Sequence, residues 1–317
     1  MSPAFLPLLL LWLSCASLPP AAGGSEARDP VDVVYTLDLG APDHVAVELR
    51  ATAEAASQGL RVPLEWEGRS GMDRAIRVVE VRDGGGRALA HDVSRWTLRA
   101  PGAKDGLNVR YQVATRGGLD AQSEGYPIRA AEYFLSTGHP LLMVPEAWVE
   151  SGEGRYRVEI AAPPGWQIHT TVGNARTLER DGLAALRDLV IAAGDFRATG
   201  DGAGSDAPAL VARGQWPWTP QDLVRPAQAV LAEARALFVG AGGPAASGRY
   251  TVFLAPWQSA SLRVGHSLHD ALLLTAGLAF DPAEPDALSF VASQMVRNWV
   301  GDGGVLRHRG DSIFDTL

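Results

Sequence analysis

The stretch Val291-Ala292-Ser293-Gln294-Met295-Val296-Arg297-Asn298-Trp299-Val300-Gly301 decides how this chain is read. Val291, Ala292, Met295 and Trp299, with Leu288 before them, recur at three- and four-residue spacing, which marks an amphipathic helix with one apolar face. Asp281 and Glu284 form a capping pair upstream, Pro285 suits the first turn, and Gly301 can close the helix in the left-handed conformation. Ser293 and Arg297 are four residues apart and therefore share a face, with Gln294 beside the first of them.

Working outward, Tyr250-Thr251-Val252-Phe253-Leu254 reads as a buried strand. Before it, Leu223, Val230, Leu231, Ala234, Leu237 and Phe238 recur at helical spacing. Thr219 or Asp222 can cap that helix with Pro220 in its first turn, and Pro226 either kinks it or marks its true start. A linker is expected over residues 201–210, opening with Asp-Gly-Ala-Gly-Ser-Asp. From Asp32 to Ala198 the period is two. Val45, Val47 and Leu49 alternate with polar or small residues, as do Leu60 to Trp66, Leu107 to Val113, and Tyr156 to Ile160, with Gly-rich turns such as Asp83-Gly84-Gly85-Gly86 between runs. The expected architecture is a β-sandwich over residues 32–200 followed by an α+β domain over residues 211–317, with Trp216 and Trp218 anchoring the junction.

The 317 residues, 46% hydrophobic and 20% charged, have a globular composition and a length suited to two domains. A formal net charge of −8 argues against nucleic acid or an anionic membrane as partner. Residues 1–22 read as a secretory signal peptide: Leu6 to Leu13 is apolar but too short to span a bilayer, and Ala21-Ala22-Gly23 offers a cleavage site. A periplasmic or secreted location follows. Cys15, the sole cysteine, lies in this segment; lipoprotein anchoring there is the lesser alternative.

Val144-Pro145-Glu146-Ala147-Trp148, Val158 to Trp166, Val190 to Phe196 and the helix ending at Trp299, taken in this order, resemble the glycyl aminopeptidase family of gluzincin metallopeptidases, which often carry a PDZ domain. More distantly, the Ala292 to Gly301 helix resembles the leukotriene-hydrolase and aminopeptidase branch. The resemblance spans about Asp32 to Gly304 and implies a thermolysin-like α+β domain, here incomplete. It places Ser293, Gln294 and Arg297 on the three chemical positions of His-Glu-x-x-His-x-Trp, with Trp299 matching the last.

Zinc hydrolysis needs two imidazoles four apart on one helix face and a carboxylate to take the proton of the metal-bound water. A serine hydroxyl is a poor zinc ligand, an amide accepts no such proton, and a guanidinium repels the metal. The third ligand would fall about nineteen residues past Arg297, near Thr316, or beyond Leu317, so a C-terminally short form is expected. The family's cleft strand carries Gly-Leu-Glu-His. The corresponding stretch is Gly265-His266-Ser267-Leu268-His269-Asp270, where His269 matches the histidine and Leu268 replaces the glutamate.

The resulting expectation is an exported peptidase-like protein with no catalytic residues and no cofactor, the family zinc being lost. It would hold a peptide or protein ligand in a cleft formed by Gly265, His266, His269 and Trp299. Two alternatives stand beside it: an active zinc aminopeptidase using His266, His269 and His308, and a structural envelope protein or truncated gene product. No Gly-x-Ser-x-Gly elbow accompanies Ser293.

Overall fold

Alternating apolar residues build the largest sheet. A computed structural model describes residues 31–66, 69–94, 96–117, 126–199, 208–239, 250–257, 263–268 and 270–297. Six strands run in the order Thr177–Asp181, Arg155–Ala161, Val33–Asp38, His44–Ala51, Leu107–Ala114, Ile76–Asp83. Val33–Asp38 and Arg155–Ala161 are parallel; the other neighbours are antiparallel. Val45, Val47 and Leu49 are buried on one face, as their spacing predicts. The expected strand from Leu60 to Trp66 is instead two short ones, Leu60–Arg61 and Glu65–Trp66. Pro63 lies between them and has no N–H to give a ladder.

Two four-stranded sheets share the same core. One is ordered Ile128–Arg129, Tyr133–Thr137, Val190–Gly194, Gln167–Thr170; the other is ordered Val144–Pro145, Leu60–Arg61, Thr97–Arg99, Asp92–Ser94. Leu37, Val47, Leu98, Val109, Phe134 and Ile191 meet in this core. Two buried tyrosines pin the segment between the sheets: Tyr35 donates to the Met143 carbonyl at 2.8 Å and Tyr111 to the Leu141 carbonyl at 3.1 Å. Burial raises the pKa of both phenols, so both remain hydrogen-bond donors.

Beyond the expected linker lies a mixed five-stranded sheet, ordered Arg197–Thr199, Ala209–Ala212, Thr251–Pro256, Ala271–Ala276, Arg263–Leu268. The central three are parallel and the two outer ones antiparallel to their neighbours. This sheet takes strands from both sides of the expected linker, and Ala209 and Leu210, placed in the linker from sequence, are buried strand residues.

The helix Pro220–Val239 connects two of the parallel strands. It starts at Pro220 and carries Pro226 inside, which resolves the two readings of its start. Leu223, Ala227, Leu231 and Ala234 form its buried stripe, whereas Leu237, expected on that stripe, is exposed. Together with the helix Pro285–Arg297 it covers one face of the sheet through Val252, Leu254, Leu272, Leu274, Val291 and Met295. The opposite face, through Val211, Phe253 and Leu273, packs on Tyr133, Leu135 and Ala192 of the first four-stranded sheet. Among the described residues no helix is long and apolar enough to cross a membrane.

Candidate functional site: the Pro285–Arg297 helix and its edge strand

The helix that opened the sequence reading forms at the expected place. The Asp281 carboxylate accepts from the Ala283 N–H at 2.9 Å, and the Glu284 N–H donates to the Asp281 carbonyl at 3.1 Å. Its buried stripe is Ala287, Val291 and Met295, one residue in every four. Leu288 and Ala292, expected on that stripe, are only half-buried because they sit at its margin. Trp299 and Gly301 lie outside the described residues.

The helix docks against Arg263–Leu268, the edge strand of the five-stranded sheet, and the strand's period of two decides which residues meet it. Gly265 and Ser267 face the helix. A Cβ on Gly265 would stand 2.7 Å from Gln294 Cγ, 3.2 Å from its Cδ and 3.3 Å from Phe290 Cζ, so only glycine admits the Gln294 stem this close. The Ser267 hydroxyl donates to the Gln294 carbonyl at 2.5 Å, satisfying a C=O in the helix's last turn. The Gln294 side-chain oxygen is enclosed and has no hydrogen-bond partner among the described residues.

The other face of the strand belongs to a different core. Leu268, 2% exposed, packs with Leu273, Phe253 and Trp257, and Val264 packs beside them. His266 lies between Val264 and Leu268 in that alternation, paired across the ladder with Leu273 and 7% exposed. Gly265 and His266, grouped from sequence as one cleft, therefore face opposite sides of the sheet. His269 lies outside the described residues, and so does His308. Leu268, at the position of the family glutamate, is a core residue.

Ser293 is exposed and its hydroxyl donates back to the Phe290 carbonyl at 2.7 Å, a common resting place for a helical serine. Arg297 is exposed in the last turn, where a cation complements the helix dipole, and it makes a further contact. These residues do not fit a zinc ion. The hydroxyl is turned to its own backbone, the amide is packed on Gly265, and the guanidinium is a fixed positive charge. Among the described residues, no three His, Cys, Asp or Glu side chains come together as a metal set.

Sequence reasoning missed Ser267 as the partner of Gln294 and Phe290 as the residue that stands with Gln294 against Gly265. The signal was present: with the segment assigned as strand, Gly265 and Ser267 are i and i+2 and share a face. It also missed Arg213, whose guanidinium grips Asp195 at 2.8 and 3.1 Å and lies 3.8 Å over the Tyr133 ring. Trp216 and Trp218, expected at the junction, stack 5.3 Å apart against the core on the helix-covered face. Their indoles donate to the Arg213 and Phe280 carbonyls at 2.9 and 2.7 Å.

The largely β chain, with its mixed sheet backed by two helices, one of them docked at an antiparallel edge strand, shares its fold with part of a solved aminopeptidase N family protein. Among solved structures it is similar to the aminopeptidase N family protein from Idiomarina loihiensis, with a TM-score of 0.68 and 15% identity over 84% of this chain and 48% of that one. The chain thus spans about half the length of that protein. It is also similar to an M1 zinc metallopeptidase from Deinococcus radiodurans, with a TM-score of 0.49 and 12% identity over 85% of this chain and 63% of that one. No family profile and no curated protein matches the chain.

Proposed function

We propose that this chain is an exported peptidase-like protein that binds extended peptide or protein segments and does not hydrolyse them through a metal on the Pro285–Arg297 helix. It is a degenerate relative of the glycyl aminopeptidases, with a β-sandwich first and an incomplete thermolysin-like domain after it. The observation that carries this reading is the packing of Gln294, the residue at the position of the catalytic base. Its stem rests on Gly265 and its backbone is held by Ser267, so the position serves as a structural contact between helix and strand.

The edge strand supports the binding half of the proposal. Among the described residues Arg263–Leu268 pairs with Ala271–Ala276 and is the outermost strand of its sheet. An outermost strand is the kind of element to which an extended segment can add through backbone N–H and C=O groups without any metal.

Two measurements on the purified protein test it. Metal analysis after zinc incubation is expected to give less than one zinc per chain; one zinc per chain, lost in Ser293→Ala or Arg297→Ala, overturns the reading. A fluorescent peptide library is expected to show binding without turnover, unchanged by chelator. Chelator-sensitive release of N-terminal residues overturns it equally.

A further inference from the structure

Arg129 is a buried cation that pairs with no carboxylate among the described residues. It ends the short strand Ile128–Arg129 and pairs across to Phe134, whose side chain lies in the core between the six-stranded and four-stranded sheets. Only 7% of Arg129 is exposed. Its Nε donates to the Leu39 carbonyl at 3.2 Å and its Nη1 to the Ala130 carbonyl, and its guanidinium carbon stands 4.3 Å from the centre of the Trp166 ring. Neither carbonyl nor indole neutralises the charge. Burial lowers the pKa of the group. An arginine nonetheless stays protonated in a protein.

Buried arginines are ordinarily paired, because a desolvated charge left alone is costly. Nη2 of Arg129 has no hydrogen-bond acceptor among the described residues, and 7% of the residue remains exposed. The neighbouring Arg116, whose carbonyl accepts from the Arg129 N–H at 2.7 Å, is exposed and lies 4.8 Å over the Tyr126 ring, adding a second positive charge nearby.

We propose that Arg129 is a binding site for a carboxylate, which completes the guanidinium's pairing at Nη2 while Trp166 holds the guanidinium plane. The class follows from the surroundings. A planar monoanion can take the remaining in-plane N–H groups, whereas the Leu39 and Ala130 carbonyl oxygens beside the fork repel a dianion such as phosphate. The carboxylate can come from a small organic acid or from an acidic side chain of a peptide.

Arginine Nε–H NMR spectra of the full chain, with the Arg129 signal assigned by triple resonance, are titrated with acetate, with acetyl-Ala-Glu-Ala-amide, with its Gln counterpart and with phosphate, all at constant ionic strength in chloride. Saturable movement of the Arg129 signal with acetate or the Glu peptide, and none with the Gln peptide, is expected. Tighter binding of the Glu peptide assigns the peptide source, and equal or tighter binding of acetate assigns the small acid. Followed at the Trp166 indole N–H signal, Arg129→Lys is expected to weaken binding at least ~10-fold, and Arg116→Ala less than ~3-fold. An unmoved signal in the wild-type protein overturns the proposal without needing any variant to fold. So does a response to phosphate that equals or exceeds that to acetate, or unchanged binding in a folded Arg129→Lys.

Discussion

Replacing Gly265 with alanine tests the docking of the Pro285–Arg297 helix on its edge strand directly. Gly265 has an ordinary backbone conformation, so on its own the change should help: less unfolded-state freedom is worth about 0.4–1 kcal/mol. Here the new methyl lands 2.7 Å from Gln294 Cγ, where carbon atoms normally stand about 3.5–4.0 Å apart. Relief requires a shift of about 1 Å by a residue whose backbone carbonyl is held by Ser267 and whose side-chain oxygen is already enclosed. Overpacking of this kind costs about 1–3 kcal/mol, so the expected net loss is about 0.5–2 kcal/mol. In a Gln294→Ala background the obstacle is gone and the same substitution should be neutral or stabilising. The coupling between the two sites is therefore expected at about 1–3 kcal/mol. Urea unfolding followed by circular dichroism on the four proteins measures it, provided the slopes agree. Additivity within about 0.5 kcal/mol would refute the contact and, with it, the assignment of Gln294 as a packed residue.

Gln294→Glu, which puts a carboxylate at the position proposed for a catalytic base, should leave the protein without peptidase activity. It encloses a carboxylate without a partner, which raises its folded pKa. Relative to the parent protein it should be nearly as stable below the unfolded pKa of about 4.3 and lose stability as pH rises from there through the folded pKa, which pH-dependent urea midpoints would show. Arg213→Ala should cost about 1–3 kcal/mol by removing both Asp195 contacts and the Tyr133 stack, and Arg213→Lys should recover less than half of it; equal stability of the lysine variant would contradict a role for the planar fork. Asp222 accepts from the Thr219 N–H and hydroxyl at 2.7 and 2.8 Å, and these contacts depress its pKa. The stabilisation they give is present above about pH 3.9 and fades as pH falls through the lower folded value, so Asp222→Asn should flatten the acid limb of the stability curve, read by thermal melts between pH 2 and 5.

The strands were legible wherever one face is wet and the other dry. His44–Ala51 and Leu107–Ala114 alternate cleanly because a half-buried sheet demands it. The Pro220–Val239 and Pro285–Arg297 helices were legible for the matching reason, a period near 3.6 and capping residues at their starts. What local pattern could not supply was partnership. Composition marks residues 201–210 as a linker, but the parallel pairing of Ala209–Ala212 with Thr251–Pro256 is a long-range event that recruits Ala209 and Leu210 into a sheet. Arg129 looks like any surface arginine, and it takes Leu39 and Trp166, both distant in sequence, to enclose it beside its neighbour Ala130. At the candidate site the identities of Ser293, Gln294 and Arg297 spoke at once about metal chemistry. The side of the strand on which His266 falls depended on assigning Gly265 to Leu268 as regular strand.

That last point bears on how far the chain stands from a working metal site. Placing imidazoles at 293 and 297 would replace a hydroxyl already bonded to the Phe290 carbonyl and a cation near the negative end of the helix. Each change alone leaves two of the three positions wrong, so neither gains metal affinity that could offset what it disturbs. The third change, at Gln294, is opposed by packing, because the stem that would carry a carboxylate is already seated on Gly265 and its oxygen has no donor. His266 gives no shortcut: it is buried on the far side of the sheet from all three positions, beside Leu268 and Leu273. The helix–strand contact is therefore the feature to perturb first. It rests on one pair of residues, Gly265 and Gln294.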